Sequence, residues 1–153
     1  MPYEIQVEEV PEMLVASVHR HVSMATVGTE MPEAFRQLGE AVREVGYGVG
    51  MPGAEYLGEV NPETDWEMVV FMPVARPFEP PEGMRLETLR GGTFASTIHR
   101  GRYDRCGEAY GALHAWMAEH GKQVVGPPRE LYLNDPNEVG PDATEMEILF
   151  PIG

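Results

Sequence analysis

Apolar and polar residues alternate along residues 13–20, where Leu14, Ala16 and Val18 fall on one face and Ser17 and His19 on the other. Residues 3–9 alternate in the same way, so the chain is expected to open with two strands. The period then changes: Phe35, Leu38, Val42 and Val45 recur at helical spacing and predict a helix over 32–45. Thr29 is placed to cap its start and Gly46 to end it. Strands are expected next at 54–59 and 66–72. The same series then returns, with strands at 84–89 and 93–100, a helix at 105–120, and strands at 129–134 and 144–150. Asp104 is the expected cap of the second helix and Gly121 its terminator.

The recurrence extends to individual residues. Leu14 to Arg20 lie over Phe94 to Arg100 at an offset of 80, so that two His-Arg pairs coincide. Glu33, Ala34, Phe35 and Leu38 match Glu108, Ala109, Tyr110 and Leu113 at an offset of 75. Val49, Gly50, Pro52, Tyr56 and Leu57 match Val125, Gly126, Pro128, Tyr132 and Leu133 at 76, and Glu67, Met68 and Pro73 match Glu145, Met146 and Pro151 at 78. Four blocks in one order describe a duplication, and two copies are too few for a solenoid. The proline-rich segment 76–83 (RPFEPPEG) reads as the linker between halves 1–75 and 84–153 of a single domain, 1–153. The expected class is α+β: pseudo-twofold, duplicated β-β-α-β-β units with about eight strands and two long helices.

Composition narrows the function. The chain has 153 residues, 25 acidic and 11 basic, for a formal charge of −14. That balance argues against direct nucleic-acid binding, which needs Lys and Arg opposite phosphates. The longest apolar run, 68–75, contains Pro73 and is far short of a bilayer span of ~20 residues, so no membrane association is expected. The N-terminus lacks the pattern of a secretory signal. The single Cys106 has no partner for an internal disulfide. The expected compartment is the cytoplasm. His19 and His21 form an H-x-H pair, but a zinc site needs a third ligand and no Cys cluster or HExxH accompanies them, so no metal or cofactor is expected. The glycines of GYGVG follow a helix and read as a turn, which a phosphate loop would not be. Ten methionines fit core gap-filling better than an adaptable pocket.

The second half carries more specific phrases. His99-Arg100-Gly101-Arg102-Tyr103-Asp104-Arg105 runs into Gly107-Glu108-Ala109-Tyr110; then come Gly126-Pro127-Pro128-Arg129-Glu130, Tyr132-Leu133, and Glu147-Ile148-Leu149-Phe150-Pro151-Ile152. In order and spacing these resemble the GyrI-like effector-binding domain, also found as the C-terminal half of multidrug-responsive transcription activators. The resemblance implies a ligand cleft between two related sheet-plus-helix units. The chain as given has no room for the DNA-binding domain of those activators, so a stand-alone member is expected. The resemblance also implies an acidic ligand contact at Glu147. Some stand-alone relatives are implied to be hydrolases that open strained, DNA-alkylating cyclopropane compounds.

Strand alternation then sorts the faces of such a cleft. In 144–150, Met146, Ile148 and Phe150 are expected under the helices, leaving Glu147 and Leu149 opposite. Their counterparts are Val69 and Phe71. In 129–134, Leu131 and Leu133 are assigned to the core, which turns Tyr132, and by the repeat Tyr56, toward the cleft. Thr97 and His99 are expected to mirror Ser17 and His19. Tyr103 and Trp66 are candidates for the rim or wall. Each has a plain structural alternative: Glu147 as a solvated strand residue, the tyrosines and Trp66 as packing residues, and Trp116 as core. Aromatic walls with one carboxylate suit flat, apolar aromatic ligands that are cationic or electrophilic. The leading expectation is a binder for drug or toxin sensing or sequestration. The second is a hydrolase with Glu147 as acid/base and Tyr132 assisting. The third is an inhibitory protein partner of a DNA-processing enzyme. Monomer and homodimer are both open.

Overall fold

β-branched and aromatic residues in alternating runs form strands, and the two stretches of helical period form helices, in the expected order. A computed structural model of the chain describes residues 3–46, 48–58 and 63–153. Its strands are β1 (Gln6–Val10), β2 (Met13–Val22), β3 (Gly53–Leu57), β4 (Trp66–Pro73), β5 (Arg85–Leu89), β6 (Gly92–Arg100), β7 (Arg129–Tyr132) and β8 (Glu145–Pro151). The long helices are α1 (Val27–Val45) and α2 (Gly107–Glu119). Single helical turns occupy Tyr103–Arg105, Pro136–Val139 and Pro141–Ala143. The chain is therefore an α+β protein with antiparallel strands.

The contacts gather into two compact units. One comprises Glu12–Arg90, with strand order β5-β2-β4-β3 and helix α1. The other comprises Met1–Pro11 and Gly91–Gly153, with order β1-β6-β8-β7 and helix α2. The orders match strand for strand, but the outer strands are exchanged. β1 pairs with β6 across a long stretch of sequence, and β5 pairs with β2.

Each helix covers one face of its own unit. α1 buries Ala34, Leu38 and Val42, and α2 buries Ala109, Leu113 and Met117 at the same spacing. Beneath α2 the core holds Ala95, Met146, Ile148, Phe150 and Ile152, with Tyr3, Tyr110, Trp116 and Tyr132 packed around it. Beneath α1 the strands present Ala16, Val18, Met68 and Val70, none of them exposed. Arg20 continues that row and reaches α1, donating to Gln37 at 2.8 Å and lying 3.3 Å from Glu30.

The helix ends differ in part from expectation. Gly46 takes φ 72° and closes α1 by donating to Val42, as a left-handed terminator should; Gly121, at φ 66°, follows α2. α1 starts earlier than expected, because Thr26 and not Thr29 occupies the capping position and Pro32 lies inside the helix. Cys106 holds the capping position of α2. The side chain of Asp104, the end of the expected third strand at Glu59, and Tyr47 of the GYGVG turn lie outside the described residues.

Candidate functional site

The strands of each unit have a second face that carries no helix, and register decides which side chains occupy it. In β8 the helix takes Met146, Ile148 and Phe150, so Glu147 and Leu149 emerge opposite. Across the ladder, Glu147 stands between Ile98 on β6 and Leu131 on β7. Ile98 is 45% exposed, while Leu149 is buried. A carboxyl among these aliphatic neighbours loses much of its hydration, which disfavours the ionised form.

A second acid shares the site. Ser96 lies opposite Leu149 and is buried, and its hydroxyl donates to Glu8 of β1 at 2.5 Å. Glu8, Ser96 and Glu147 share the helix-free face. Burial, a hydrogen bond with Glu8 and the charge of Glu8 push Glu147 up to about 7, against a smaller opposing contribution from the Ser96 hydroxyl. The same face holds Phe94, on which the buried Arg129 guanidinium stacks at 4.9 Å. Arg100 lies there too, 3.3 Å from Glu145.

In the other unit the corresponding face holds Val69 and Phe71, both buried, with Ser17, His19, Glu55, Glu67 and Glu87. His19 bridges two carboxylates, with Nδ1 2.8 Å from Glu67 and Nε2 2.7 Å from Glu87. Ser17 also donates to Glu87. Burial would raise Glu87, but the hydrogen bonds from Ser17 and His19 outweigh it and hold the carboxyl below its ordinary value. His21 lies 3.5 Å from Asp65. Among the described residues no group of three or more His, Cys, Asp or Glu is placed to hold a metal ion. No helix among them is long and apolar enough to cross a membrane.

The expected site residues divide between the two faces. Glu147 and Leu149, and in the other unit Val69 and Phe71, stand where alternation put them. Tyr132 does not: it pairs with Met146, packs beneath α2 and donates to Glu130 at 2.6 Å. Tyr110 donates to the other oxygen of Glu130, which explains how a buried carboxyl sits in that core. Tyr103 packs against the same cluster, 5.5 Å from the Tyr132 ring. Tyr56 pairs with Met68 and so lies on the α1 side, with Trp66 on the same side of β4. The Trp66 indole N–H and the Tyr103 hydroxyl have no hydrogen-bond partner among the described residues. His99 is also on the helix side, buried, bonded to the Tyr3 hydroxyl and the Arg102 carbonyl, both at 2.9 Å. Thr97 shares that side and donates to the Glu4 carbonyl at 2.8 Å.

The cause of the His99 error is a slip of one residue. Ala16 pairs with Met72, and Ala95 pairs with Phe150, the counterpart of Met72 at an offset of 78. Ala16 therefore corresponds to Ala95, at an offset of 79 and not 80. A slip of one flips every side chain to the other face. Glu8, Ser96 and Arg129 were not singled out from the sequence. Glu8 enters through the pairing of β1 with β6, which joins strands far apart in the chain.

These features describe a duplicated α+β domain that presents a partly buried acid on a helix-free sheet face. The chain belongs to the GyrI-like small molecule binding domain family, whose model matches residues 3–153. Comparison with curated protein sequences finds no match. Among solved structures the chain resembles EcmrR in its complex with DNA, with a TM-score of 0.84 and 21% identity, covering 98% of this chain and 57% of that one. The EcmrR part concerned is the C-terminal domain, 99% of which is covered. A hydrolase from Listeria innocua matches with a TM-score of 0.73 and 15% identity, over 99% of this chain and 93% of the other. SAV2435 bound to tetraphenylphosphonium matches with a TM-score of 0.74 and 10% identity, over 98% and 94%. Identities this low bear on the fold alone.

Proposed function

We propose that the chain binds flat, apolar aromatic cations, that Glu147 supplies the attracting charge, and that it serves to sense or sequester drug-like or toxic compounds. One observation carries this reading. In a family of small-molecule binders, Glu147 is a partly buried carboxyl flanked by Ile98, Leu131 and Leu149 on a face its helix leaves uncovered. In such surroundings an opposite charge is worth more than in water. The neighbour SAV2435 was seen with tetraphenylphosphonium, a tetrahedral cation whose phenyl rings offer flat apolar faces, so it serves as a probe beside a planar one. The whole of residues 3–153 is taken to act as one binding domain.

The test is a thermal shift and calorimetric titration with tetraphenylphosphonium and a planar acridinium, for wild type beside Glu147→Gln. At a hundred times its dissociation constant a ligand adds ~2.7 kcal/mol, or roughly 5–10 °C in a chain of this size. The wild type should shift and the variant should bind at least about tenfold more weakly, the equivalent of one lost charge interaction. Equal binding by both proteins would remove Glu147 from the site.

A second reading, hydrolysis of a strained electrophile with Glu147 as proton donor, draws support from its titration near neutrality, where a general acid is most effective. Product formation that is lost in Glu147→Gln would favour it. Tyr132 is not proposed as its partner, because Tyr132 lies beneath α2.

A further inference from the structure

Glu147 does not act alone on its sheet face. β1 brings Glu8 to the same face of β6, and the buried Ser96 between them donates to Glu8 at 2.5 Å. Glu8 and Glu147 therefore lie on either side of one buried hydroxyl on a single sheet face, and Glu8 adds to burial in holding the proton on Glu147. Two carboxylates set on one partly buried face repel each other, and protonating one of them relieves that repulsion. We propose that Glu8 and Glu147 form one acid pair that holds a single shared proton while the face is empty, and that an organic cation bound there expels that proton. Glu8 is then the residue that makes binding depend on pH, and it sets a preference for cations over neutral aromatics. The inference rests on the cation reading above.

The other charged groups on this face are accounted for. On β6 and β8, Arg100 and Glu145 form their own pair at 3.3 Å. On β7, the Arg129 guanidinium lies over Phe94. On β1, Glu9 points to the opposite face and takes a hydrogen bond from Thr93. Neighbouring carboxyls that share one proton titrate as a unit, the first proton leaving easily and the second late. The empty pair carries one negative charge; with a cation bound, both carboxyls are ionised and one proton has gone to solvent.

Two measurements test this. Calorimetry with tetraphenylphosphonium in buffers of different ionisation enthalpy counts protons released on binding. Carbon-detected NMR follows the glutamate carboxyls without ligand. Wild type should release close to one proton at pH 6 and almost none at pH 8.5, and affinity should rise about tenfold per pH unit up to the pair's upper midpoint. In Glu8→Gln, which keeps an acceptor for Ser96, the Glu147 midpoint should fall toward the ordinary value and proton release at pH 6.5 should drop by at least about half. Ser96→Ala, which removes a hydroxyl that favours ionisation, should move the midpoint the other way. A Glu147 midpoint unchanged by Glu8→Gln overturns the pair. Affinity that is flat from pH 5.5 to 8.5 overturns the proton coupling while leaving the cation reading intact. No binding of either tetraphenylphosphonium or a planar acridinium even at pH 8.5, where both carboxyls are ionised, overturns the cation reading and the coupling with it.

Discussion

Replacing Glu147 by Gln should make the protein more stable, and only above mildly acidic pH. The folded chain raises this carboxyl from an ordinary value of 4.5 to about 7, first by burial and then through Glu8. The fold therefore holds the proton more tightly than the unfolded chain does. Linkage gives the sign: the contribution of Glu147 is most favourable below 4.5, is lost as pH rises through the window from 4.5 to 7, and stays lost above it. Complete desolvation would make the loss about 3 kcal/mol. The group is only partly buried, so solvent screening reduces it to roughly 1–2 kcal/mol. Gln is neutral at every pH, keeps the shape and can still bond to Glu8 and Ser96. The variant should melt ~3–6 °C higher than wild type at pH 8 and within about a degree of it at pH 4.5. The assay is a pair of melting curves by circular dichroism across pH 4–8.5. Comparing the two proteins cancels the general self-repulsion of a chain with a net charge of −14. A gap that is the same at pH 4.5 and pH 8, or a less stable variant at pH 8, would refute the reasoning.

Two further outcomes follow from other clusters. Glu87 is held below its ordinary value, so its contribution is present at neutral pH and lost as pH falls; Glu87→Gln should destabilise by ~1 kcal/mol at pH 7 and by progressively less as pH drops below the ordinary carboxyl value, as read by urea denaturation. Tyr132→Phe removes one of two hydroxyls that satisfy the buried Glu130 and should cost ~1–2 kcal/mol, while tetraphenylphosphonium affinity stays as in wild type. A loss of affinity as large as that in Glu147→Gln would place Tyr132 on the ligand face after all.

The order of elements was legible because hydrophobic period changes cleanly from two to 3.6 and back, twice. The helix-facing row of β8 was legible for a related reason: Met146, Ile148 and Phe150 are the most apolar alternate set, and a helix needs such a floor. β7 defeated the same logic. Leu131 and Tyr132 are both only half-buried, so either is acceptable on either side and apolarity carries no sign. What settles the matter is Glu130, whose carboxyl needs the Tyr110 and Tyr132 hydroxyls beneath α2. His99 failed for another reason: the His-Arg pairs align attractively at the wrong parity. The exchange of β1 and β5 was hidden because local patterning identifies a strand but not its distant partner.

The corrected register shows how one duplicated fold came to carry one acid site. On the helix side the two units remain alike: Ala16 with Ala95, Tyr56 with Tyr132, Met68 with Met146, Val70 with Ile148, and the buried rows of α1 and α2 position for position. Packing under a helix constrains size and leaves little freedom. On the helix-free side they diverge. The pair Glu147–Leu131 in one unit corresponds to Val69–Glu55 in the other, so each unit places one carboxyl in the same cross-strand pair but on opposite strands. Ile98 stands where the other unit has His19, and Arg129 where it has Gly53. These substitutions fix the chemistry. In one unit His19 lies against Glu67 and Glu87, and the hydrogen bonds it and Ser17 make hold Glu87 ionised. In the other, the aliphatic Ile98 lies opposite Glu147, and burial, aided by Glu8 on the same face, raises its carboxyl to about 7. The two units thus offer equivalent frames, and the difference between His19 and Ile98 goes with a carboxyl held below its ordinary value in one and a carboxyl raised above it in the other.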